Sequence, residues 1–345
     1  FARDFTITHF FNPPRTMELL EVVAGETTSP EVLERTIRVA DRQLGKTVLE
    51  CRDTPGFIAN RLGSHWMAVA ALEAFEAGLD VETADAIMSR PFGIPRTGVF
   101  GLFDLVGVNL VPLLWPVLTR ALPADDAAQR YDLMGDRVFK HLLDNGLIGR
   151  RGPGGFTRRK NEAGEKVDEV IDLESLEYRA RRQVTDPAGS AGDIAAVLAG
   201  DSDGSRYAWT VFAQVLDYAC HIAPEVGDDV AAVDAGMELG YAWARGPFKL
   251  ADAVGAAQLV ARYEAEGRAV PGLLAAAAKG GGFYPDADTV LSSSGEVVER
   301  RKVEGVLTVA DAQRAHGVLA ESEAAAIVDL GDGVACLALR TKMNT

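Results

Sequence analysis

One short pattern occurs twice in the sequence, and this repeat constrains the fold more than any other feature. The copies at residues 97–107 and 245–255 share Gly, Phe, Leu, Asp, Val and Gly in the same order. Asp85 and Asp234 precede the two copies at nearly the same offset. Copies so far apart indicate duplicated helical domains rather than a solenoid, whose period is ~20–50 residues. The alternative is a chance similarity between two Gly-rich helix ends.

The residues ahead of the repeat have the pattern of an α/β domain. Strands are predicted at 5–11, 17–23 and 46–51, where β-branched and other apolar residues lead up to turn-forming residues. A helix is predicted between the last two strands, because Ser29 offers a capping hydroxyl ahead of an apolar stripe. Strand, strand, helix, strand is typical of the end of an α/β domain. Since the sequence opens without Met, we expect it to begin inside a larger protein.

Beyond Asp53 the pattern changes to helices and turns. Apolar residues recur at helical spacing as far as about residue 265. The exception begins at residue 150, where Gly, Arg and Lys are frequent, and we interpret residues 151–200 as a linker. Near the end, two apolar runs flank a Gly-Asp-Gly turn at 331–333, which predicts a β-hairpin.

The composition excludes several classes of function. The 345 residues carry 35 Lys+Arg against 50 Asp+Glu, and this net charge of −15 disfavours nucleic acid, whose phosphates would be repelled. No apolar run approaches the ~20 residues that span a bilayer. Cys51, Cys220 and Cys336 lie far apart and form neither a disulfide framework nor a metal-binding pattern. We therefore expect no metal, and a reducing, cytoplasmic compartment.

His9 is the first candidate for chemistry. It lies in a predicted strand just before a Pro-rich turn, and strand ends in α/β domains border the ligand crevice. Imidazole exchanges a proton near neutral pH. Glu21 stands in the next predicted strand, so a strand–turn–strand arrangement could bring its carboxylate to the imidazole. The alternative is a histidine that fills a strand end and a glutamate exposed to solvent.

Asn60 is the second candidate, in the first turns of the helix predicted after Gly56. Its amide could donate to a substrate oxygen; otherwise it is an ordinary polar helix residue. The other histidines have no ligand neighbours at metal-binding spacing. The Gly-rich residues 152–155 lack both the GxGxxG spacing and a preceding strand, so we reject them as a dinucleotide-binding loop.

Several motifs together resemble the L-3-hydroxyacyl-CoA dehydrogenase family. They are HFFNPP at 9–14, DTPGFIANRL at 53–62, GLFDLVG at 101–107 and the basic, Gly-rich segment at 149–156. The resemblance extends from the first residue to about residue 265.

The resemblance implies roles for four residues. His9 is then the catalytic base, Glu21 orients it, and Asn60 contacts the substrate near the reacting carbon. Asn12 lies at the nicotinamide end of an NAD site. The GxGxxG loop and the ribose-binding acid of the family are missing from this sequence.

The resemblance also implies a mainly α fold class. We expect the tail of a Rossmann-type NAD-binding domain at 1–53, a first helical domain at 54–150, the linker at 151–200, and a second, duplicated helical domain at 201–320. Both helical domains would be like the C-terminal domain of 6-phosphogluconate dehydrogenases. Residues 321–345 resemble the opening of an enoyl-CoA hydratase (crotonase) domain. Because the second copy lacks a DTPGF motif, we expect it to be structural.

A dehydrogenase followed by a hydratase resembles a bifunctional protein of fatty-acid β-oxidation. The parent protein is then expected to oxidise L-3-hydroxyacyl-CoA to 3-ketoacyl-CoA with NAD, as a homo-oligomer or with a thiolase partner. The 345-residue chain alone is expected to bind NAD weakly and to be nearly inactive. Two alternatives stay open: a non-catalytic helical assembly scaffold, and a 3-hydroxy acid substrate that is not a thioester.

Overall fold

The computed structural model describes residues 1–162, 165–302 and 305–340. The chain folds into two compact units, a large one, Phe1–Val298, and a small one that begins at Glu299. All four candidate site residues lie in the large unit.

The large unit opens with the predicted strand, strand, helix, strand. These elements are β1 (Thr6–Phe10), β2 (Leu19–Ala24), α1 (Pro30–Arg42) and β3 (Thr47–Cys51). β1 is antiparallel to β2, and β2 is parallel to β3. β2 lies in the middle of the sheet, between β1 and β3, and almost all of its side chains are buried. The apolar stripe of α1 packs on two of them, Leu20 and Val22. The prediction for this segment is confirmed.

Helices follow β3. They are α2 (Ala59–Glu76), α3 (Val81–Ile87), α4 (Phe100–Val106), α5 (Val111–Ala121), α6 (Arg137–Asp144), α7 (Ile194–Ala199), α8 (Asp203–Val226), α9 (Val230–Gly240), α10 (Pro247–Val254), α11 (Ala256–Ala265) and α12 (Gly272–Gly280). α2 and α8 pack against each other, and buried residues cover several sides of α8, as expected for a central helix. A buried ion pair, Arg61 to Asp126 at 2.7 Å, lies beside this contact.

The repeat corresponds to two matching helix caps. The Asp85 carboxylate accepts hydrogen bonds from the N–H groups of Phe100 and Gly101 at the start of α4. Asp234 does the same for Phe248 and Lys249 at the start of α10. Each carboxylate supplies the partner that the first N–H groups of a helix lack.

The aspartates inside the repeat also match. Asp104 accepts from the backbone N–H groups of Phe156 and Thr157. Asp252 accepts from Phe283 and Tyr284 in the same way. The same pair of aspartates, one cap and one loop anchor, therefore stands in the first helical stretch (α2–α6) and in the second (α8–α12).

Residues 151–200 differ from their interpretation as a linker. They carry β4 (Thr157–Glu162), β5 (Glu165–Ile171) and β6 (Tyr178–Ala180), which form an antiparallel sheet. The many charges made this segment look like a solvated connection. Several of them instead pair across the strands, as in Arg159 with Asp168 at 2.6 Å, while Ile171 is buried in the core.

The remaining described strands lie near the end of the chain. β7 (Thr289–Leu291) and β8 (Val297–Glu299) form a two-stranded sheet. The small unit contains α13 (Val309–His316), β9 (Val318–Glu321), β10 (Ala325–Gly331) and β11 (Val334–Leu339). β10 and β11 form the predicted hairpin, and β9 pairs with the other edge of β10. Residues 342–344, which are part of the hydratase resemblance, lie outside the described residues.

Within the described residues, no single helix is long and apolar enough to cross a membrane.

Candidate active site

His9 and Glu21 lie directly opposite each other in the β1–β2 pairing. The Nδ1 atom of His9 is 2.7 Å from the Oε2 atom of Glu21. The His9 side chain is 31% exposed, whereas that of Glu21 is 0% exposed. The pair therefore has a buried carboxylate behind an imidazole that reaches the surface; the sequence had indicated that the two side chains could meet, but not how they are buried.

The second oxygen of Glu21 closes the start of a helix. Oε1 accepts hydrogen bonds from the backbone N–H groups of Ile58, at 3.1 Å, and Ala59, at 2.9 Å, in the first turn of α2. No side chain of the helix itself caps this end. The carboxylate thus meets both free N–H groups and the positive end of the helix dipole. These contacts fix Glu21, and Glu21 in turn fixes the imidazole ring of His9.

Two aromatic rings surround His9. The Phe11 ring lies 5.1 Å from the imidazole, centroid to centroid, in an edge-on arrangement, and the Phe57 ring lies at 5.8 Å. Phe57 is placed by a tight turn in which Gly56 and Phe57 both have positive φ, +76° and +49°. A left-handed phenylalanine is uncommon, and such strain is often found at functional sites. Among the described residues, Nε2 of His9 has no hydrogen-bond partner and is free to meet a ligand.

Cys51 lies on the far side of Glu21. Its Sγ atom is 3.7 Å from Oε1 of Glu21. Burial, together with the neighbouring carboxylate, raises the pKa of the Cys51 thiol. The group is therefore held as a thiol, and it is no nucleophile.

The loop after β1 is tied down by Lys46. The Nζ atom of this almost fully buried lysine donates to the backbone carbonyls of Pro14 and Met17. The ammonium group thereby links the loop that carries Asn12 to the start of β3.

The two predicted asparagines lie near the pair in different ways. Asn60 is partly exposed in the first turn of α2, next to Ala59, which binds Glu21. Asn12 is exposed in the loop three residues beyond His9. Neither side chain hydrogen-bonds to another described residue, so each is available to a ligand. No group of His, Cys, Asp or Glu among the described residues could hold a metal ion.

Sequence reasoning missed the contributions of Phe11, Phe57, Lys46 and the N–H groups of the α2 start. The Pro-Gly-Phe order at 55–57 was the one available signal, because a glycine before a bulky residue can mark a strained turn. The N–H groups carry no side-chain signal at all. His65, one of the histidines without ligand neighbours in the sequence, is fully buried.

Two family models match the chain. Residues 2–54 match the NAD binding domain of 3-hydroxyacyl-CoA dehydrogenase, and residues 56–159 match its C-terminal domain. The first match covers β1 to β3, and the second covers α2 to α6 and the start of β4.

Curated relatives agree with these matches. A Rickettsia prowazekii protein that carries the name of a fatty acid oxidation complex trifunctional enzyme is 37% identical over 71% of this chain and 34% of its own length. A Bacillus subtilis protein named as a probable 3-hydroxyacyl-CoA dehydrogenase is 29% identical over 100% of this chain and 44% of its own length. The chain thus spans about a third to less than half of these relatives.

A solved structure shows the same fold. The 3-hydroxybutyryl-CoA dehydrogenase of Escherichia coli K12 superposes with a TM-score of 0.53 at 20% identity, covering 79% of this chain and 70% of that one. A Rossmann-like strand region followed by a helical C-terminal domain is the shared architecture. Through residues 2–159, the chain belongs to the 3-hydroxyacyl-CoA dehydrogenase family.

Proposed function

We propose that the protein that carries this chain oxidises L-3-hydroxyacyl-CoA to 3-ketoacyl-CoA with NAD in fatty-acid oxidation. The observation that carries the proposal is the contact between His9 and the buried, fully hydrogen-bonded Glu21. Capping of α2 explains the two N–H contacts of Glu21, as it does for Asp85 and Asp234, but it does not explain the further contact to a partly exposed imidazole.

His9 acts as the general base. Its Nδ1 side is held by Glu21, so its Nε2 atom takes the proton of the substrate hydroxyl as the carbonyl forms. The positive charge that develops on the ring is stabilised by the Glu21 carboxylate. When NAD⁺ is bound, it supplies the acceptor for the hydride of the same carbon. Phe11 and Phe57 exclude water from the sides of the imidazole.

The residues present fit the reacting end of the cofactor. His9 presents a free ring nitrogen at the surface, and the Asn12 amide is unpartnered within the described residues. The 345 residues contain no GxGxxG motif, so we assign no residue to the cofactor phosphates. We propose that Asn12 contacts the nicotinamide end and that Asn60 binds the substrate oxygen at the reacting carbon.

The test is a comparison of two histidine variants in the full-length protein. His9→Gln is expected to lower kcat ~10²–10⁴-fold in NADH formation from L-3-hydroxybutyryl-CoA, because it removes the general base. The matched control is His221→Gln, whose side chain is exposed on α8. Near-full activity of His9→Gln would overturn the proposal.

The thioester is tested separately. Free CoA is expected to inhibit, and free L-3-hydroxybutyrate is expected to be a much poorer substrate than its CoA ester. Equal turnover of the free acid with no inhibition by CoA would favour the alternative substrate class.

We propose further that the second helical stretch is a duplicated domain and that the small unit opens a hydratase-like domain. The matched framework of Asp85, Asp104, Asp234 and Asp252 supports the duplication. The predicted boundaries, the homo-oligomer or thiolase partner and the cytoplasmic location stay predictions. Size measurement of the full-length protein, with and without a thiolase, tests the assembly.

A further inference from the structure

The second helical stretch contacts the His9 environment through the face of α9 that carries Gly236 and Gly240. A Cβ atom on Gly236 would lie 2.8 Å from Cγ2 of Ile58. A Cβ atom on Gly240 would lie 3.1 Å from Cβ of Ala59 and 3.0 Å from Cε1 of Phe11. A side chain at Gly236 would force its neighbours to shift, and one at Gly240 would be accommodated only if its neighbours moved by a few tenths of an ångström. Ile58 and Ala59 are the residues whose N–H groups hold Glu21.

Tyr241 continues this contact beyond the end of α9. Its ring packs directly against Gly63 of α2. A Cβ atom on Gly63 would lie 2.0 Å from Cζ of Tyr241. The same ring meets Phe11 edge-on, at 6.2 Å between centroids. Phe11 therefore has both Tyr241 and His9 as ring neighbours.

We infer that Gly240 and Tyr241 are positioning residues for the His9/Glu21 pair. They act through two neighbours: the first turn of α2, which donates to Glu21, and Phe11, which packs on His9. The second helical stretch is thus part of the support of the candidate active site, beyond the structural role that its missing DTPGF motif suggested. The inference rests on the proposed function of His9, but its test measures the geometry of the pair and requires no turnover.

The first experiment replaces Gly240 with valine in the 345-residue chain. The added methyl groups are expected to displace Phe11 and the start of α2. Amide hydrogen exchange at Ala59 is expected to accelerate at least ~10-fold relative to exchange at Leu216 in the centre of α8. The Nδ1–H proton of His9, assigned with His9→Gln, is expected to broaden or vanish from the NMR spectrum.

Gly272→Val is the matched control. Gly272 is also in a helix of the large unit, and nothing lies within 4 Å of its Cβ position. This variant is expected to leave the Ala59 to Leu216 exchange ratio and the His9 signal unchanged. The inference is overturned if Gly240→Val behaves like the control, or if it accelerates exchange equally at Ala59 and Leu216, which would indicate general destabilisation alone.

A conservative pair tests Tyr241. Tyr241→Ala removes the ring beside Phe11 and is expected to weaken the His9 signal, whereas Tyr241→Phe keeps the ring and is expected to restore it. Equal His9 signals in the two variants would show that Tyr241 is not a positioning residue. Failure of the proposed function is distinguishable from failure of this inference, because it would be observed as near-full turnover by His9→Gln in the full-length protein.

Discussion

His65 makes the stability of this protein sensitive to mild acid. The ring is 0% exposed on α2 and stacks on Tyr218, with 3.9 Å between centroids. Burial lowers the pKa of His65 from 6.5 to about 3; the Asp126 carboxylate opposes this shift, and the Arg61 guanidinium adds to it. The folded protein therefore holds His65 neutral at pH values where the unfolded chain binds a proton.

The sign and size of the effect follow from this difference. The pKa is lower in the folded state, so the contribution to stability is complete above pH 6.5 and is lost as the pH falls towards 3. At pH 5.5, one unit below the ordinary value, the loss is about 1.4 kcal/mol. Over the whole range it reaches about 5 kcal/mol, comparable to the total stability of a small domain.

The assay is urea denaturation of the chain at pH 7.5 and pH 5.5. His65→Phe keeps a ring against Tyr218 but cannot bind a proton. The free energy of unfolding of the wild type is expected to fall by about 1.4 kcal/mol more than that of the variant between these pH values. Other groups titrate as well, but they contribute to both proteins and cancel in the difference.

His221→Phe is the control, since that side chain is exposed and its replacement should leave the pH dependence almost as in the wild type. Parallel pH dependence in the wild type and His65→Phe, within about 0.5 kcal/mol, would mean that the folded protein protonates His65 without cost. The reasoning from burial would then be refuted.

Two further changes test the framework of the large unit. Asp234→Ala removes the cap of α10 and is expected to lower the free energy of unfolding by about 2 kcal/mol, because one buried and one partly buried N–H group lose their partner. Asp85→Ala should do the same for α4, and urea denaturation showing a loss in only one variant would contradict the equivalence of the caps. Lys46→Met leaves the carbonyls of Pro14 and Met17 without their donor, so amide exchange in the loop before β2 is expected to accelerate at least ~10-fold. Unchanged exchange there would show that the loop holds its shape without Lys46.

The contact between His9 and Glu21 could be predicted because it follows from local pattern. Two short strands joined by a Pro-rich turn are antiparallel, and opposite positions share a face of the sheet. The donors to Glu21 could not be predicted. Ile58 and Ala59 lie far along the chain from Glu21, and their N–H groups reach it only because α2 docks against the sheet in one orientation.

The interpretation of 151–200 failed for a related reason. A hydropathy scale assigns the charged residues of β4 and β5 to solvent, because it takes no account of the residues around them. In the folded chain the Nε atom of Arg158 lies 2.6 Å from the Oε2 atom of Glu169 on the neighbouring strand, and the guanidinium group lies over the Tyr178 ring. A single sequence does not reveal these pairs until the register of the strands is known.

The repeat could be recognised in the sequence because it preserves positions that tolerate few other residues. A buried carboxylate needs N–H donors, and the residue packed against it must be a glycine, because a side chain there would clash with the aspartate. A Cβ atom on Gly98 would lie 2.5 Å from Asp85, and one on Gly246 would lie 2.3 Å from Asp234. Such positions tolerate few other residues, whereas apolar positions can exchange one side chain for another of similar volume.

The two helical stretches differ where the chemistry is proposed. At the start of α8, the preceding residue Ser202 accepts from the N–H of Ser205, and the Asp186 carboxylate accepts from the N–H of Gly204. At the start of α2 there is no such side chain, and Glu21 of the sheet takes its place. One stretch therefore has a helix end that binds Glu21, the partner of the proposed general base His9, whereas the corresponding helix end of the other stretch is capped by Ser202 and Asp186. This difference explains in physical terms why only the first stretch is expected to carry a site, while the second supports it through α9.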